Sequence, residues 1–115
     1  MLREVISKSL LLGTGLQKEV QDLLITHMNF YTMPADHFLY REGVSKSDFT
    51  VILLEGMISL YKGNDEVQKY EAPALIGEQA LLHGGFRDHS IVSIQSEIKF
   101  CAVQRDKFKE LVRFV

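Results

Sequence analysis

The chain has a single cysteine, Cys101, two prolines and no tryptophan in 115 residues. One thiol cannot close an internal disulfide, so a disulfide-stapled secreted scaffold is excluded and a reducing, cytoplasmic setting is expected. A basic excess is also missing: 13 Lys and Arg stand against 15 Asp and Glu, for a formal net charge of -2. Nothing here offers the electrostatic footprint of nucleic-acid binding. The longest apolar runs, such as Val51 to Leu54, are far too short to span a bilayer, and no charged-then-apolar leader opens the chain.

Catalytic signatures are equally scarce. The four histidines, His27, His37, His83 and His89, show neither the His-x-His nor the His-x-x-x-His spacing that metal sites use. Gly-x-Gly-x-x-Gly is absent, and no serine sits in a nucleophile-elbow setting. Cys101 has no histidine close in sequence and reads as a packing residue. The chain is therefore expected to be no enzyme and to hold no cofactor or metal.

What remains is an ordinary globular composition, 46% hydrophobic and 24% charged, at a length that suits one domain over 1–115. Two helical stripes come first. Leu2, Val5, Ile6 and Leu10 share one face up to Gly13-Thr14-Gly15, and Val20, Leu23, Leu24, His27 and Met28 share another. Residues 1–29 are thus expected to form an N-terminal helical segment. From Phe30 the texture turns to short β-rich runs: Phe30 to Met33, His37 to Tyr40, Asp48 to Leu54, Met57 to Lys62 and Val67 to Tyr70. Glu55-Gly56 reads as a hairpin between the third and fourth of these, and Gly63-Asn64-Asp65 as the next turn. Ser90 to Ile94 and Glu97 to Val103 continue the pattern, and residues 104–115 open a helix with Phe108, Leu111, Val112 and Val115 on one face. Short strands at this spacing predict a small β-sandwich or barrel over 30–103.

The stretch with the most chemistry runs over 76–92. Gly77 permits a tight turn and close approach of backbone to a ligand, and a helix starting near Glu78 would present unpaired N-H groups that attract an anion. Arg87 follows the flexible Gly84-Gly85 with a planar, permanently charged fork suited to two phosphate oxygens. Glu78 is suited to accept hydrogen bonds from ribose hydroxyls.

Gly77-Glu78-Gln79-Ala80-Leu81-Leu82, then four residues, then Arg87-Asp88-His89-Ser90, resembles the phosphate-binding cassette of cyclic nucleotide-binding domains. Pro34-Ala35-Asp36, Glu42-Gly43 and Val51 to Gly56 stand, in order, where that family carries its turn and strand motifs. The resemblance implies a mainly β fold with flanking helices: an eight-stranded antiparallel jelly roll (double-stranded β-helix), N-terminal helices, a short cassette helix and the start of a C-terminal helix. It implies a ligand site at Gly77, Glu78, Gln79, Ala80, Arg87, Asp88, His89 and Ser90. Glu78 would hold the ribose 2'-hydroxyl, while Arg87 and backbone N-H groups near Ala80 and Asp88 would hold the phosphate. The implied ligand is cAMP or cGMP. The implied partner is an effector domain such as a kinase, channel or exchange factor, moved through the flanking helices. In the family, helices beyond the barrel cover the base, so an ending at 115 suggests a fragment of a longer regulatory protein.

Two positions depart from the family pattern. Asp88 and His89 stand where the family has small residues against the phosphate. A carboxylate roughly 5 Å from a phosphate charge costs about 3 kcal/mol at an effective dielectric near 20. The alternative expectation is therefore a domain that has lost its ligand and acts as a protein interaction module.

Overall fold

The computed structural model describes residues 22, 25, 26, 28–77, 80 and 84–112, excluding the side chains of 111 and 112. The expected first helix and most of the second lie outside these residues. Asp22, Ile25 and Thr26 are helical, with the Thr26 hydroxyl donating to the Asp22 carbonyl at 2.9 Å. Among the described residues no helix is long and apolar enough to cross a membrane.

Six strands form one antiparallel sheet: β1 (Asn29–Met33), β2 (Phe38–Tyr40), β3 (Phe49–Lys62), β4 (Asp65–Glu71), β5 (Ala74–Ile76) and β6 (Ser90–Gln104). Helix α1 (Arg105–Val112) follows directly. The long strands β3 and β6 pair along almost their whole length, from Phe49 opposite Gln104 to Tyr61 opposite Ser90. On the other edge of β3, β5 pairs with the first part and β4 with the second. On the other edge of β6, β2 pairs with the first part and β1 with the second. Each long strand therefore makes two legs, while the strands among the described residues number six where eight were expected.

The expected hairpin at Glu55-Gly56 is instead a bulge inside continuous β3. The register with β6 shifts between Leu53 and Glu55 and again between Glu55 and Met57. A glycine at positive φ serves a turn or a bulge equally well, and the partner strand decides which forms. Here β6 runs past both halves and bends with β3, its Gln95 at φ 70. The bends have a consequence for packing. Side chains alternate between the two faces of a strand, so an extra residue reverses which parity faces the core. Before the bend the core takes Val51 and Leu53; after it, Ile58 is buried and Leu60 packs against the same cluster. Strand β6 behaves alike, with Ile91 before its bend and Ile98 and Phe100 after it.

The opposite face of the first β3 leg is also covered. Ile52 and its cross-strand neighbour Cys101 are fully buried, and the Cys101 thiol contacts Met28 Sδ at 3.6 Å. Burial pushes the Cys101 thiol up to about 12, so the thiolate is suppressed at neutral pH. The folded protein is accordingly expected to resist a water-soluble disulfide reagent at pH 8 and to react fully in urea. Fast stoichiometric labelling without denaturant would contradict this placement. At the C-terminal end, Phe108 is buried as expected of the apolar stripe of α1, and Asp106 lies in its first turn.

Candidate functional site

Four parts of the chain converge on a cavity of about 630 Å³. Strand β5 ends on Ile76 and delivers Gly77, the segment 84–89 supplies Arg87, Asp88 and His89, and the far ends of β3 and β4 contribute Lys62 and Tyr70. Of the expected site residues, Gly77, Ala80, Arg87, Asp88 and His89 line this cavity. Ser90 does not: its hydroxyl accepts a hydrogen bond from the Glu42 N-H at 2.8 Å and lines a separate cavity beside β2. Glu78 and Gln79 lie outside the described residues.

Backbone pairing fixes the arginine segment. The Arg87 N-H donates to the Ser45 carbonyl at 2.9 Å, and its carbonyl accepts from the Gly43 N-H at 2.8 Å. Ser47 N-H donates to the Gly85 carbonyl at 2.7 Å, and Lys46 bridges to Phe86. The loop before β3 thus holds the Gly-Gly turn, and Arg87 enters the interior from a defined point.

Its guanidinium is buried, with the residue only 4% exposed. The Tyr40 ring lies beneath it, 4.0 Å from ring centroid to Cζ, and the Phe49 ring lies at 4.8 Å. One terminal nitrogen donates to the Phe49 carbonyl, while Nε has no hydrogen-bond partner among the described residues. Burial pulls the Arg87 pKa below its usual value, opposed by Tyr40, Asp48 and Asp88 nearby. No described carboxylate lies within ion-pair distance of it. A buried cation so placed attracts an anion.

Gly77 and Arg87 are in direct contact. A Cβ on Gly77 would stand 2.8 Å from the Arg87 terminal nitrogen and 3.4 Å from the Tyr40 hydroxyl, and the residue holds φ +73. Glycine takes this backbone angle without strain and leaves the guanidinium its place. The Gly77 carbonyl accepts from the Thr50 hydroxyl and from the Ala80 N-H, each at 3.0 Å, which starts a tight turn at Ala80.

Three side chains that the sequence left unremarked complete this corner. Tyr40, Phe49 and Lys62 come from β2 and from opposite ends of β3, and strand pairing alone brings them to Arg87 and Asp88. No local pattern marks them. Tyr40 is 3% exposed, and burial pushes its phenol up to about 12 despite the opposing charge of Arg87. Its hydroxyl hydrogen-bonds His89 Nε2, and His89 Nδ1 lies 2.6 Å from Asp88 Oδ1. That bond holds the Asp88 carboxyl below the usual carboxylate range. The Asp88 side chain is 85% exposed. Its charge is therefore screened by water far more than a buried carboxylate would be, which weakens the repulsion expected at this position. Among the described residues no group of three His, Cys, Asp or Glu could hold a metal ion.

The family profile of the cyclic nucleotide-binding domain matches residues 31–113, and the chain belongs to this family. Among solved structures it is similar to a cyclic nucleotide-binding-like protein from Brucella abortus, with 22% identity, a TM-score of 0.84 and 96% of each chain covered. It is similar to the regulatory domain of Toxoplasma gondii PKA in co-crystal with cAMP, with 24% identity, a TM-score of 0.83, and 96% of this chain and 42% of that one covered. A third similar structure is the regulatory subunit of a cAMP-independent protein kinase A from Trypanosoma cruzi bound to guanosine, with 16% identity, a TM-score of 0.85, and 96% and 39% covered. The chain thus spans about two fifths of each of these two kinase regulatory proteins. No curated protein matches the chain. At these identities the likeness is one of fold, and the antiparallel, mainly β architecture is that of the family's jelly roll.

Proposed function

We propose that the chain is a regulatory module that binds a 3',5'-cyclic nucleotide, cAMP or cGMP, and relays the event to an effector through its flanking helices. One observation supports this most: Arg87 is buried against Gly77 on the wall of the cavity and, among the described residues, has no carboxylate paired to it and no partner for Nε. Its guanidinium has five N-H donors and, among the described residues, spends one on the Phe49 carbonyl, which leaves donors for two phosphate oxygens. In this reading Glu78 holds the ribose 2'-hydroxyl, and N-H groups near Ala80 and Asp88 share the phosphate. The module does no chemistry. Binding draws the cassette inward, and helices packed upon it shift in turn.

A second reading, an interaction module without a ligand, draws support from the Asp88 carboxylate, which stays ionised beside the arginine. Calorimetric titration with cAMP, cGMP and guanosine separates the two. Guanosine belongs in the set because the Trypanosoma cruzi structure holds it, and it lacks the phosphate that Arg87 would grip. Saturable heat with a cyclic nucleotide, exceeding that with guanosine, is the expected result. No heat and no thermal shift at millimolar cyclic nucleotide removes the sensing role from this chain.

A further inference from the structure

Two arginines donate to the stretch of chain that leads into β3. Arg87 donates to the Phe49 carbonyl, and Arg105, the first residue of α1, donates from Nη1 to the Ser47 carbonyl at 3.1 Å. The Arg105 backbone N-H adds a bond to the intervening Asp48 carbonyl at 2.8 Å. Ser47 is also the residue whose N-H holds the Gly85 carbonyl, so Arg105 and the Gly-Gly turn meet on it. The guanidinium lies against that turn directly: a Cβ on Gly84 would stand 2.7 Å from Arg105 Nη1 and 3.4 Å from both Cζ and Nη2. Among the described residues no carboxylate lies within ion-pair distance of Arg105, so the Ser47 carbonyl and the Gly84 surface are what hold its side chain.

Ser47 and Gly84 both line the cavity, whereas Arg105 does not. Any effect of Arg105 on a ligand must therefore pass through the segment 84–87, which carries Arg87. That segment opens with two glycines, the residues that lose most backbone freedom on ordering. Gly85 holds φ +94 with nothing within 4 Å of its Cβ position, so packing at that residue does little to fix it. What does fix the segment is its bonding to residues 43–47 and the guanidinium pressed on Gly84. A loop ordered in advance spares the ligand that ordering cost on binding. The Gly84 backbone lies outside the left-handed region, so the need for a glycine there comes from the guanidinium and not from φ.

We propose that Arg105 is a positioning residue for the anion site: from the first position of α1 it sets its guanidinium against both the Ser47 carbonyl and Gly84, and so fixes the segment that delivers Arg87 before any ligand arrives. Its effect on phosphate affinity rests on the cyclic-nucleotide reading above; its hold on the loop does not. Strand β6 separates the Gly-Gly turn from Arg105 in the chain, and the pairing of β6 with β3 brings the two together. Phe108, one turn further along α1, is buried, so the loop is tied to a helix whose own place is set by packing.

Hydrogen exchange on the free, intact chain tests the hold on the loop. Arg105→Ala is expected to speed exchange of the Ser47 and Arg87 amides at least about tenfold, with amides of the β3–β6 ladder far less affected. Parental rates at those two amides overturn the proposal, and so does a uniform acceleration across the ladder, which marks a general loss of stability. Gly84→Ala isolates the contact: its Cβ would displace the guanidinium, so it is expected to speed the same amides in the parent protein and to add little in Arg105→Ala. Equal effects in both backgrounds overturn the contact. Calorimetric titration with cAMP and with cGMP reads the consequence for the site. Affinity is expected to fall about tenfold in Arg105→Ala and to recover in part in Arg105→Lys, which keeps a donor for the Ser47 carbonyl. Lys109→Ala, which removes an exposed cation from the same helix, is expected to bind as the parent does. Parental affinity in Arg105→Ala despite a loosened loop overturns the positioning role. Should Arg105→Ala fail to fold, Arg105→Lys and Gly84→Ala carry the same comparisons. Absence of cyclic-nucleotide binding by the parent overturns the reading above and the affinity claim with it, while the exchange rates still decide whether Arg105 holds the loop.

Discussion

Arg87→Ala is expected to weaken cyclic-nucleotide binding on the order of 100-fold or more, with a much smaller change in the stability of the free protein. The two effects separate because the guanidinium is a compromise when the cavity is empty. Its burial removes a charge from water, and what offsets that cost is a hydrogen bond to the Phe49 carbonyl and two aromatic faces. A bond from a charged donor contributes about 1.5–3 kcal/mol and a desolvated cation-π contact up to about 2, whereas the desolvation they offset is several kcal/mol. Deleting both sides of that balance leaves a net change of roughly 1–2 kcal/mol in either direction. With a phosphate present the balance is different. Truncating one partner of a buried, hydrogen-bonded charge pair costs about 2–5 kcal/mol, and 3 kcal/mol is about two orders of magnitude in Kd. Calorimetry and urea unfolding of the same variant measure both quantities. Unchanged nucleotide affinity would show that the phosphate is held elsewhere; a collapse of stability with no folded fraction would show that Arg87 belongs to the core.

Much of this corner was legible in the sequence, and the rest was hidden for identifiable reasons. Gly77 and Arg87, both named by the sequence motif, lie beside one another in the structure. Tyr40 and Phe49 were not readable as site residues. An aromatic in a β-run ordinarily serves the core, and only the pairing of Tyr40 with Ile91 sets its ring against His89 and Arg87. Ser90 entered the expected site as the last residue of the Arg-x-x-Ser match, but it is the first residue of β6, and successive strand residues face opposite ways. Its hydroxyl turns to the Glu42 backbone instead. Strand β5 was missed for a simpler reason: three residues after Pro73 are too few to show alternation. The Glu55-Gly56 misreading is the instructive one, since local residue types could not distinguish a chain that reverses from a chain that bends.

That bend is also where a single methyl group should do most harm to the fold. Gly56→Ala is expected to lower stability by about 2–5 kcal/mol, from two additive sources. Gly56 sits at φ +97, and a left-handed backbone costs a residue with a Cβ roughly 1–2 kcal/mol. The new Cβ would also lie 2.7 Å from Ile98 Cγ2 and 3.2 Å from both the Glu97 carbonyl oxygen and Ile98 Cα. Ile98 is fully buried and cannot swing aside, so forcing room there adds about 1–3 kcal/mol of overpacking. Gly43 provides the control: it holds φ +70, but nothing lies within 4 Å of its Cβ position, so Gly43→Ala should lose only the backbone part, about 1 kcal/mol. Urea midpoints of the two variants against the parent protein measure the difference. Equal losses would mean that β3 and β6 do not pack together at this bend. The consequence reaches the cavity, because the bulge reverses the facing of β3 between its legs: Leu53 before it joins the core, and Leu60 and Lys62 beyond it line the cavity. If the Ala variant folds by straightening the bulge, that reversal is lost and Lys62 leaves the cavity, so weakened nucleotide binding should accompany the lower midpoint.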